Sequence, residues 1–449
     1  MDLSGQRILV IGLGKTGTAA ARFLSRQGAD VTVTDEKERV ELREPLERLQ
    51  REGMTLRFRP CTTDILSDMD MVVPSPGVSP FNPMLVEAVR LGKTVLSELE
   101  LAFRFLKRPM IAVTGTNGKT TTTTLIGEIM AKSGKSAFVG GNIGTPLIDF
   151  VDGPQQQEFV VVEVSSFQLQ WVRDFRPDVA VLLNVTGDHV DYHGTFADYR
   201  RAKERIFANQ RRQDLAILNV CEAHSRSFLQ RLTAKIAYFS TSGQVNEGIF
   251  LDGGQMVLRP IAGEPEIYPL DMIKIPGVHN IENVMAAILA ARGAGCRREA
   301  IIEAVGAFRG IKHRIEFAGE KDGVAFYDDS KATNVDAVLR ALESFSRPVV
   351  LLMGGRDKQG DFGLLSDTIK KRVKVLILFG EAGEKIAGRI GGAVDTISAA
   401  TLREAMPLAR RSAAAGDVVL LAPGCASFDE FKDYKERGDV FKQWVGSLS

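Results

Sequence analysis

Residues Met110 to Ile126 read MIAVTGTNGKTTTTTLI. An apolar run enters Gly115, Gly118, Lys119 and Thr120, and a helix-forming run follows. That order suits a nucleoside triphosphate. Glycines let backbone N–H groups turn toward an anion with no Cβ in the way, and a helix N-terminus adds a favourable dipole. Lys119 would reach the β- and γ-phosphates, and the Thr120 hydroxyl would hold Mg²⁺. The usual spacing, G-x-x-x-x-G-K-[ST], needs a glycine at position 113, where this chain has Val113. The loop is therefore expected to be shorter than the usual one. Downstream, EFVVVEVSSFQ reads as an apolar strand ending at Glu163, a carboxylate placed to suit a hard, oxygen-seeking cation. LLNVTGDHVDYHG follows with the same logic and carries Asp188, His189 and His193. The two histidines are spaced as ligands on one helix face would be, which raises zinc as an alternative, but Gly194 directly after them argues against a helix.

A second nucleotide signature lies at the N-terminus. GLGKTG, residues 12–17, is G-x-G-x-x-G between an apolar strand and a helix, and Asp35 ends the next strand. Alone this pattern points to an NAD-dependent dehydrogenase. The surrounding unit ends near Ser97, which is short for two mononucleotide halves, and hydride transfer needs no triphosphate loop. One half-fold suits one nucleotide-bearing ligand with its diphosphate on Gly14 to Gly17. Against an enzyme that uses the triphosphate stand a dehydrogenase with an idle phosphate loop and a sensor that binds nucleotide without turnover.

The elements that must position these residues alternate strand and helix, which predicts α/β architecture with mostly parallel sheets. RILVIGLG, DVTVTD and DMVVPSPG are strands of a first unit, and ELELAFRFLKRP reads as a helical connection after it. MIAVTG, FVVVEVS, VAVLLNVT and LAILNV are strands of a second unit, with helices in TFADYRRAKERIFAN and NIENVMAAILAARGAG. GVAFYDDS, PVVLLMGG, KVLILFG and DVVLLAPG belong to a third. The boundaries expected are 1–97, 98–310 and 311–449. With 57 basic and 56 acidic residues the chain has a net charge of +1, which argues against a nucleic-acid or membrane-surface footprint. The apolar run after the N-terminus is too short for a signal sequence, no run approaches the length of a membrane span, and a cytoplasmic protein is expected. Cys61, Cys221, Cys296 and Cys425 form no C-x-x-C and read as free thiols.

Taken in order, GTNGKTT, EVSSFQL, LNVTGDHVDYH, YRRAK, GVHNIENV, HRIEF, YDDSKATN, GGRDKQGDF and PGCASFDEFKDYKERG resemble the Mur ligases from residue 8 to about residue 441. DDSKATN, GGRDKQGDF and CASFDEF are similar to the branch that adds D-glutamate. The diaminopimelate-adding branch carries Asp-Asn-Pro-Arg, a tetrapeptide absent here, and folate polyglutamate ligases generally lack a domain like residues 1–97. The resemblance implies a Rossmann-like N-terminal domain for a uridine nucleotide, a central phosphate-loop ATPase domain and a Rossmann-like C-terminal domain for the amino acid. It implies that ATP phosphorylates the carboxylate of UDP-N-acetylmuramoyl-L-alanine and that the D-glutamate amine displaces the phosphate. A monomer acting on these small molecules is expected, with no nucleic-acid or membrane partner.

Residue by residue, the resemblance implies ATP contacts from Gly115, Thr116, Asn117, Gly118, Lys119, Thr120 and Thr121. Asn280 and Asn283 would face the adenine end, Arg314 the phosphates and Asp329 the ribose. Two Mg²⁺ ions are implied, with Thr120, Glu163, His189 and Lys203 as ligands, Lys203 after reaction with CO₂ to a carbamate. Lys119, Glu163, His189 and Lys203 are the implied catalytic set. The uridine nucleotide would meet Gly14, Lys15, Thr16, Gly17, Asp35, Ser75, Gly77 and Asn142. D-Glutamate would meet Lys331, Thr333, Lys358, Ser427 and Phe428. Lys15 stands where apolar residues are common, and Glu36 and Lys37 follow Asp35, so the uracil and ribose contacts depart from the family pattern.

Overall fold

Apolar runs of four to seven residues bounded by glycine or polar turns form most of the strands, which assemble into three sheets. A computed structural model describes residues 1–36, 43–51, 56–58, 62–220, 229–261, 263–358, 360–390 and 392–448. Lys37, Cys61 and Cys221 lie outside the described residues. The first sheet comprises β1 (Arg7–Ile11), β2 (Asp30–Thr34), β3 (Leu56–Phe58), β4 (Met71–Pro74) and β5 (Thr94–Val95), all parallel, in the order β3-β2-β1-β4-β5. Ile8, Leu9, Val10 and Ile11 are all buried, as expected for a parallel strand covered on both faces. The order passes the switch point of a doubly wound sheet, between β1 and β4, and among the described residues lacks only the sixth strand of the dinucleotide order, so the sheet is larger than the single half expected.

The second sheet contains β6 (Met110–Thr114), β7 (Ala137–Gly141), β8 (Phe159–Glu163), β9 (Val179–Leu182), β10 (Leu215–Asn219), β11 (Lys235–Ser240), β12 (Gly248–Asp252), β13 (Gln255–Arg259) and β14 (Glu266–Pro269). Its order is β14-β13-β12-β11-β10-β9-β6-β8-β7. It is parallel from β7 through β12, and β13 and β14 close one edge as an antiparallel meander. The third sheet, β15 (Glu316–Lys321), β16 (Val324–Asp328), β17 (Val349–Gly354), β18 (Val373–Phe379), β19 (Asp395–Ser398) and β20 (Val418–Gly424), has the order β15-β16-β20-β17-β18-β19. Only β15 is antiparallel to its neighbour.

Two compact units hold these sheets. The first is Met1–Val185, Tyr192–Leu270 and Asn283–Ala304, and the second is Thr186–Asp191, Asp271–Glu282 and Val305–Ser449. Within the first unit, helix Lys15–Arg26 packs its Ala19–Ala21, Phe23 and Leu24 inward and ends at Gly28, whose φ of +83° suits glycine. Arg22 and Arg26 of this helix pair with Asp149 and Asp152, each at 2.6 Å, and so join the first sheet's layer to the segment after β7. The expected helical connection is Glu98–Phe105, started by Ser97, whose hydroxyl accepts from Glu100 N at 3.3 Å. No helix among the described residues is long and apolar enough to cross a membrane.

That connection buries two carboxylates with different surroundings. Glu100 accepts from the backbone N–H groups of Arg173, Asp174 and Phe175 and pairs with Arg104. Glu98 accepts from Ile148 N at 2.8 Å, and burial pushes its carboxyl up to about 7 from an ordinary 4.5. The fold therefore favours protonated Glu98. This stabilisation is complete below about pH 4.5 and is lost as pH rises through about 7. Glu98→Gln is expected to match the parent in urea unfolding near pH 4.5 and to exceed it at pH 8.5 by up to about 3 kcal/mol. A stability difference independent of pH would refute this account.

Candidate active site

The phosphate loop is short because the strand before it runs on past position 113. Val113 lies inside the sheet, in register with Glu163 on β8 and Val181 on β9, and β6 runs on to Thr114. Only Gly115 to Gly118 bridge strand and helix Lys119–Lys132. Gly118 has φ +87°, and a Cβ there would lie 2.1 Å from Asn283 Oδ1, so conformation and space both demand glycine. Asn283 thus lies against the loop.

Lys119 Nζ donates to Gly115 O at 3.0 Å and Thr116 O at 2.8 Å. Thr120 Oγ1 donates to Glu163 Oε2 at 2.7 Å, and Asn142 Nδ2 donates to Glu163 Oε1 at 2.8 Å. The strand-end carboxylate, the loop threonine and Asn142 therefore form one linked group. Helix Phe196–Glu204, capped by Thr195, brings two further side chains to the loop. Lys203, 2% exposed, donates from Nζ to Gly115 O at 2.7 Å, and Tyr199 OH shares a hydrogen bond with Thr116 Oγ1 at 3.0 Å. The Lys203 ammonium also lies 4.6 Å from the centre of the Tyr199 ring. Two ammonium groups thus converge on one carbonyl, a crowded arrangement of positive charge.

A cleft of about 600 Å³ opens at the carboxyl ends of β1 and β4, lined by Gly14, Lys15, Thr16, Asp35, Ser75, Gly77 and Asn142 among others. All but one of the residues expected to hold the uridine nucleotide meet there. The exception, Gly17, is packed behind it: a Cβ would lie 1.9 Å from Gly12 O and 2.3 Å from Ser75 Oγ, so this glycine serves close approach of helix and strand. Asp35 Oδ2 accepts from Leu13 N at 2.7 Å and Ser75 Oγ donates to Gly12 O at 2.7 Å, which fixes the glycine turn. Lys15 donates to Gly144 O, so the glycine segment after β7 forms the other wall. Asn142 lines this cleft and also bonds Glu163, so one side chain links the two nucleotide regions.

In the second unit, His189, Thr333 and Lys358 line a cleft of about 410 Å³. His189 has φ +53°, its N–H donates to Asp188 Oδ1 at 3.0 Å, and Asp188 Oδ2 accepts from Asn334 Nδ2 at 2.9 Å. Asn334 also caps helix Val335–Glu343, accepting from Ala337 N at 2.8 Å. Lys331 is not among the residues lining this cleft; its ammonium lies 3.9 Å from the centre of the Tyr434 ring. Ser427 is buried, and its neighbour Phe428 is exposed. Asn280 donates to Pro276 O at 2.6 Å. Asp329 is buried and accepts from Ile315 N at 3.3 Å; burial pushes its carboxyl up to about 7 against the opposing pull of Arg314.

The zinc alternative fares poorly. One helical turn, Val190–His193, does form despite Gly194, yet His193 is buried in the first unit with Nε2 at 2.9 Å from Ser166 Oγ. Among the described residues the one group with metal-ligand geometry is His313, Glu316 and Asp328, where Lys442 already donates to Glu316 at 2.9 Å. Cys296 and Cys425 are free and buried, and burial pushes the Cys425 thiol up to about 12, which removes it as a nucleophile. Sequence reasoning missed Asn184 behind the phosphate loop and Asn334 behind Asp188. It also missed a cleft of about 680 Å³ bordered by Phe81, Arg201, Arg205 and Arg231, which His193 lines but none of the residues expected to meet a nucleotide or D-glutamate does.

Comparison with known proteins agrees with this geometry. Residues 6–97 match the Mur ligase MurD-like N-terminal domain, 113–291 the Mur ligase middle domain, and 313–425 the Mur ligase glutamate ligase domain. The chain belongs to the Mur ligase family. It is 56% identical to a protein of Syntrophus aciditrophicus named UDP-N-acetylmuramoylalanine–D-glutamate ligase, covering 100% of this chain and 99% of that one. A Geobacter metallireducens protein of the same name is 46% identical over 100% and 99% of the two chains. Among solved structures, the MurF ligase of Thermotoga maritima in complex with ADP superposes with a TM-score of 0.60 at 17% identity, covering 100% of both chains. The UDP-N-acetylmuramate–alanine ligase of the same organism gives 0.59 at 21%, covering 98% and 99%. At such identities these two establish the fold.

Proposed function

We propose that the chain is an ATP-dependent ligase that joins D-glutamate to UDP-N-acetylmuramoyl-L-alanine through an acyl phosphate, a step of peptidoglycan precursor synthesis. The observation that carries this reading is a phosphate loop bonded to a strand-end carboxylate in a chain 56% identical over its length to a ligase of that name. Residues 1–97 would bind the uridine nucleotide, 98–310 ATP and 311–449 the amino acid. This division is supported by the cleft at Gly14–Thr16, the loop at Gly115–Thr120 and the cleft at Thr333 and Lys358. The same reading assigns the enzyme to the cytoplasm, where ATP is made, and needs one copy of the chain, since one copy supplies residues for all three ligands.

Lys119 neutralises charge on the transferred phosphoryl group, and the start of helix Lys119–Lys132 offers backbone N–H groups to the phosphates. The muramoyl-alanine carboxylate attacks the γ-phosphorus, ADP leaves, and the D-glutamate amine then attacks the acyl carbon and expels phosphate. Thr120 Oγ1 and Glu163, hydrogen-bonded oxygen ligands, form a set that fits Mg²⁺. When bound, Mg²⁺ supplies Lewis-acid stabilisation of phosphoryl charge. Asn280, Asn283, Arg314 and Asp329 complete the ATP assignment.

Lys203 is proposed to act as a carbamate. Its ammonium would lose one proton, and the neutral amine would then add to the carbon of CO₂ and lose a second, which replaces a cation crowded against Lys119 with a carboxylate. The carbamate nitrogen keeps one N–H, so the bond to Gly115 O can persist.

Phosphate release should require D-glutamate and UDP-N-acetylmuramoyl-L-alanine together. Release with neither, or binding of NADH instead, would reject the ligase reading. Lys358 is exposed at the edge of the 410 Å³ cleft and is proposed to face a D-glutamate carboxylate. Lys358→Ala is expected to raise KM for D-glutamate about ten- to a hundredfold, the loss of a charge-assisted hydrogen bond, with a smaller change for ATP. Steady-state kinetics with each substrate varied would check it, and an unchanged KM for D-glutamate would remove Lys358 from the pocket.

A further inference from the structure

The phosphate loop has two glycines among its four residues, and glycine-rich segments lose much entropy when ordered. Something must hold such a loop in its binding conformation if affinity is not to suffer. We propose that Asn184 is that positioning residue, so that nucleotide affinity depends on an amide group that faces the back of the loop. This inference rests on the reading of Gly115–Thr120 as a nucleotide site.

Asn184 follows β9 by two residues and is 5% exposed. Its Oδ1 accepts from Thr116 N at 3.1 Å and from Asn117 N at 2.9 Å. Its Nδ2 donates to Asn117 O at 3.1 Å, and its backbone carbonyl accepts from Thr116 N at 2.9 Å. One residue thus ties down both central residues of the loop. Asparagine has the right chemistry for this, because its amide carries an acceptor and a donor side by side. Aspartate can accept both N–H groups but cannot donate to Asn117 O, and alanine can do neither. The bonds also fix a direction. The N–H groups of Thr116 and Asn117 point toward Asn184, so the phosphates are met at the start of helix Lys119–Lys132, beside Lys119.

The test measures ADP binding by calorimetry and ATP kinetics on the full chain, with thermal unfolding as the check on folding. Asn184→Ala is expected to raise the ADP Kd and the KM for ATP about ten- to a hundredfold, with kcat at saturating ATP falling by much less, because bound nucleotide can reorder the loop. Asn184→Asp keeps the two acceptor bonds but sets a negative charge behind the loop. It should weaken ATP more than ADP, since ATP carries more charge, and it decides the matter if the alanine variant does not fold. Lys119→Ala serves as the control. ADP affinity lowered by Lys119→Ala but unchanged by both Asn184 variants would overturn the positioning role alone. ADP affinity unchanged by all three would overturn the nucleotide assignment beneath it.

Discussion

Lys119→Ala is expected to lose about 10²- to 10³-fold or more of amino-acid-dependent phosphate release while the protein stays folded. The expectation follows from placement. Lys119 begins the helix after the loop, and its ammonium lies against the loop carbonyls of Gly115 and Thr116, outside the apolar core. A cation held there meets charge that grows on the transferred phosphoryl group, and removal of one such preorganised donor typically has an effect of this size on turnover. Unfolding midpoints and phosphate release measured on the same preparation separate catalysis from stability. Near-normal turnover would mean that the GTNGKT turn does not handle phosphate.

Lys203→Arg and Lys203→Ala are both expected to be nearly inactive, for different reasons. Arginine keeps the positive charge and does not form the carbamate. Alanine removes the nitrogen altogether and leaves Gly115 O without the Lys203 bond. Because Lys203 is buried, lost activity alone could reflect packing. Rescue distinguishes the two: short carboxylic acids such as acetate or formate should restore part of the turnover of Lys203→Ala and none of Lys203→Arg, whose side chain still fills the space. An active arginine variant would show that this position supplies positive charge. Mass spectrometry of rapidly trapped protein, with and without bicarbonate, gives a readout independent of activity, an added carboxyl group on Lys203.

What the amino-acid order conveys best is local. Strands such as RILVI, FVVVE and VVLLMG are uninterrupted apolar runs because both faces of a parallel strand are covered, and they stand out at once. Glu163 and Asp35 were legible because a carboxylate ending such a run has few structural reasons to be there. Edge strands were harder. Neither β15 nor β19 has a fully buried residue, and EFAGEK and DTIS carry little apolar signal. Asn184 and Asn334 were not legible at all, since an asparagine after a strand or before a helix is ordinary, and their partners lie 67 and 146 residues away in the chain. Gly17 was read as a ligand contact although its place in G-x-G-x-x-G also suits close packing, and only the position of Gly12 O separates the two. The Val190–His193 turn formed against the signal of Gly194, which sits just past its end, with φ +82°, where glycine closes helices.

The antiparallel meander that ends the nine-stranded sheet affects how the protein behaves at high concentration. A parallel sheet left open at β12 would offer a row of backbone donors and acceptors to any strand from another molecule. Here the outermost strand, β14, is four residues long, starts at Glu266, which pairs with Arg292, and stops at Pro269, which has no N–H to give. A strand so short, charged at one end and blocked at the other, is a poor template for strand addition. Self-association through this margin is thereby discouraged, even though Ile267 on it is half exposed to water.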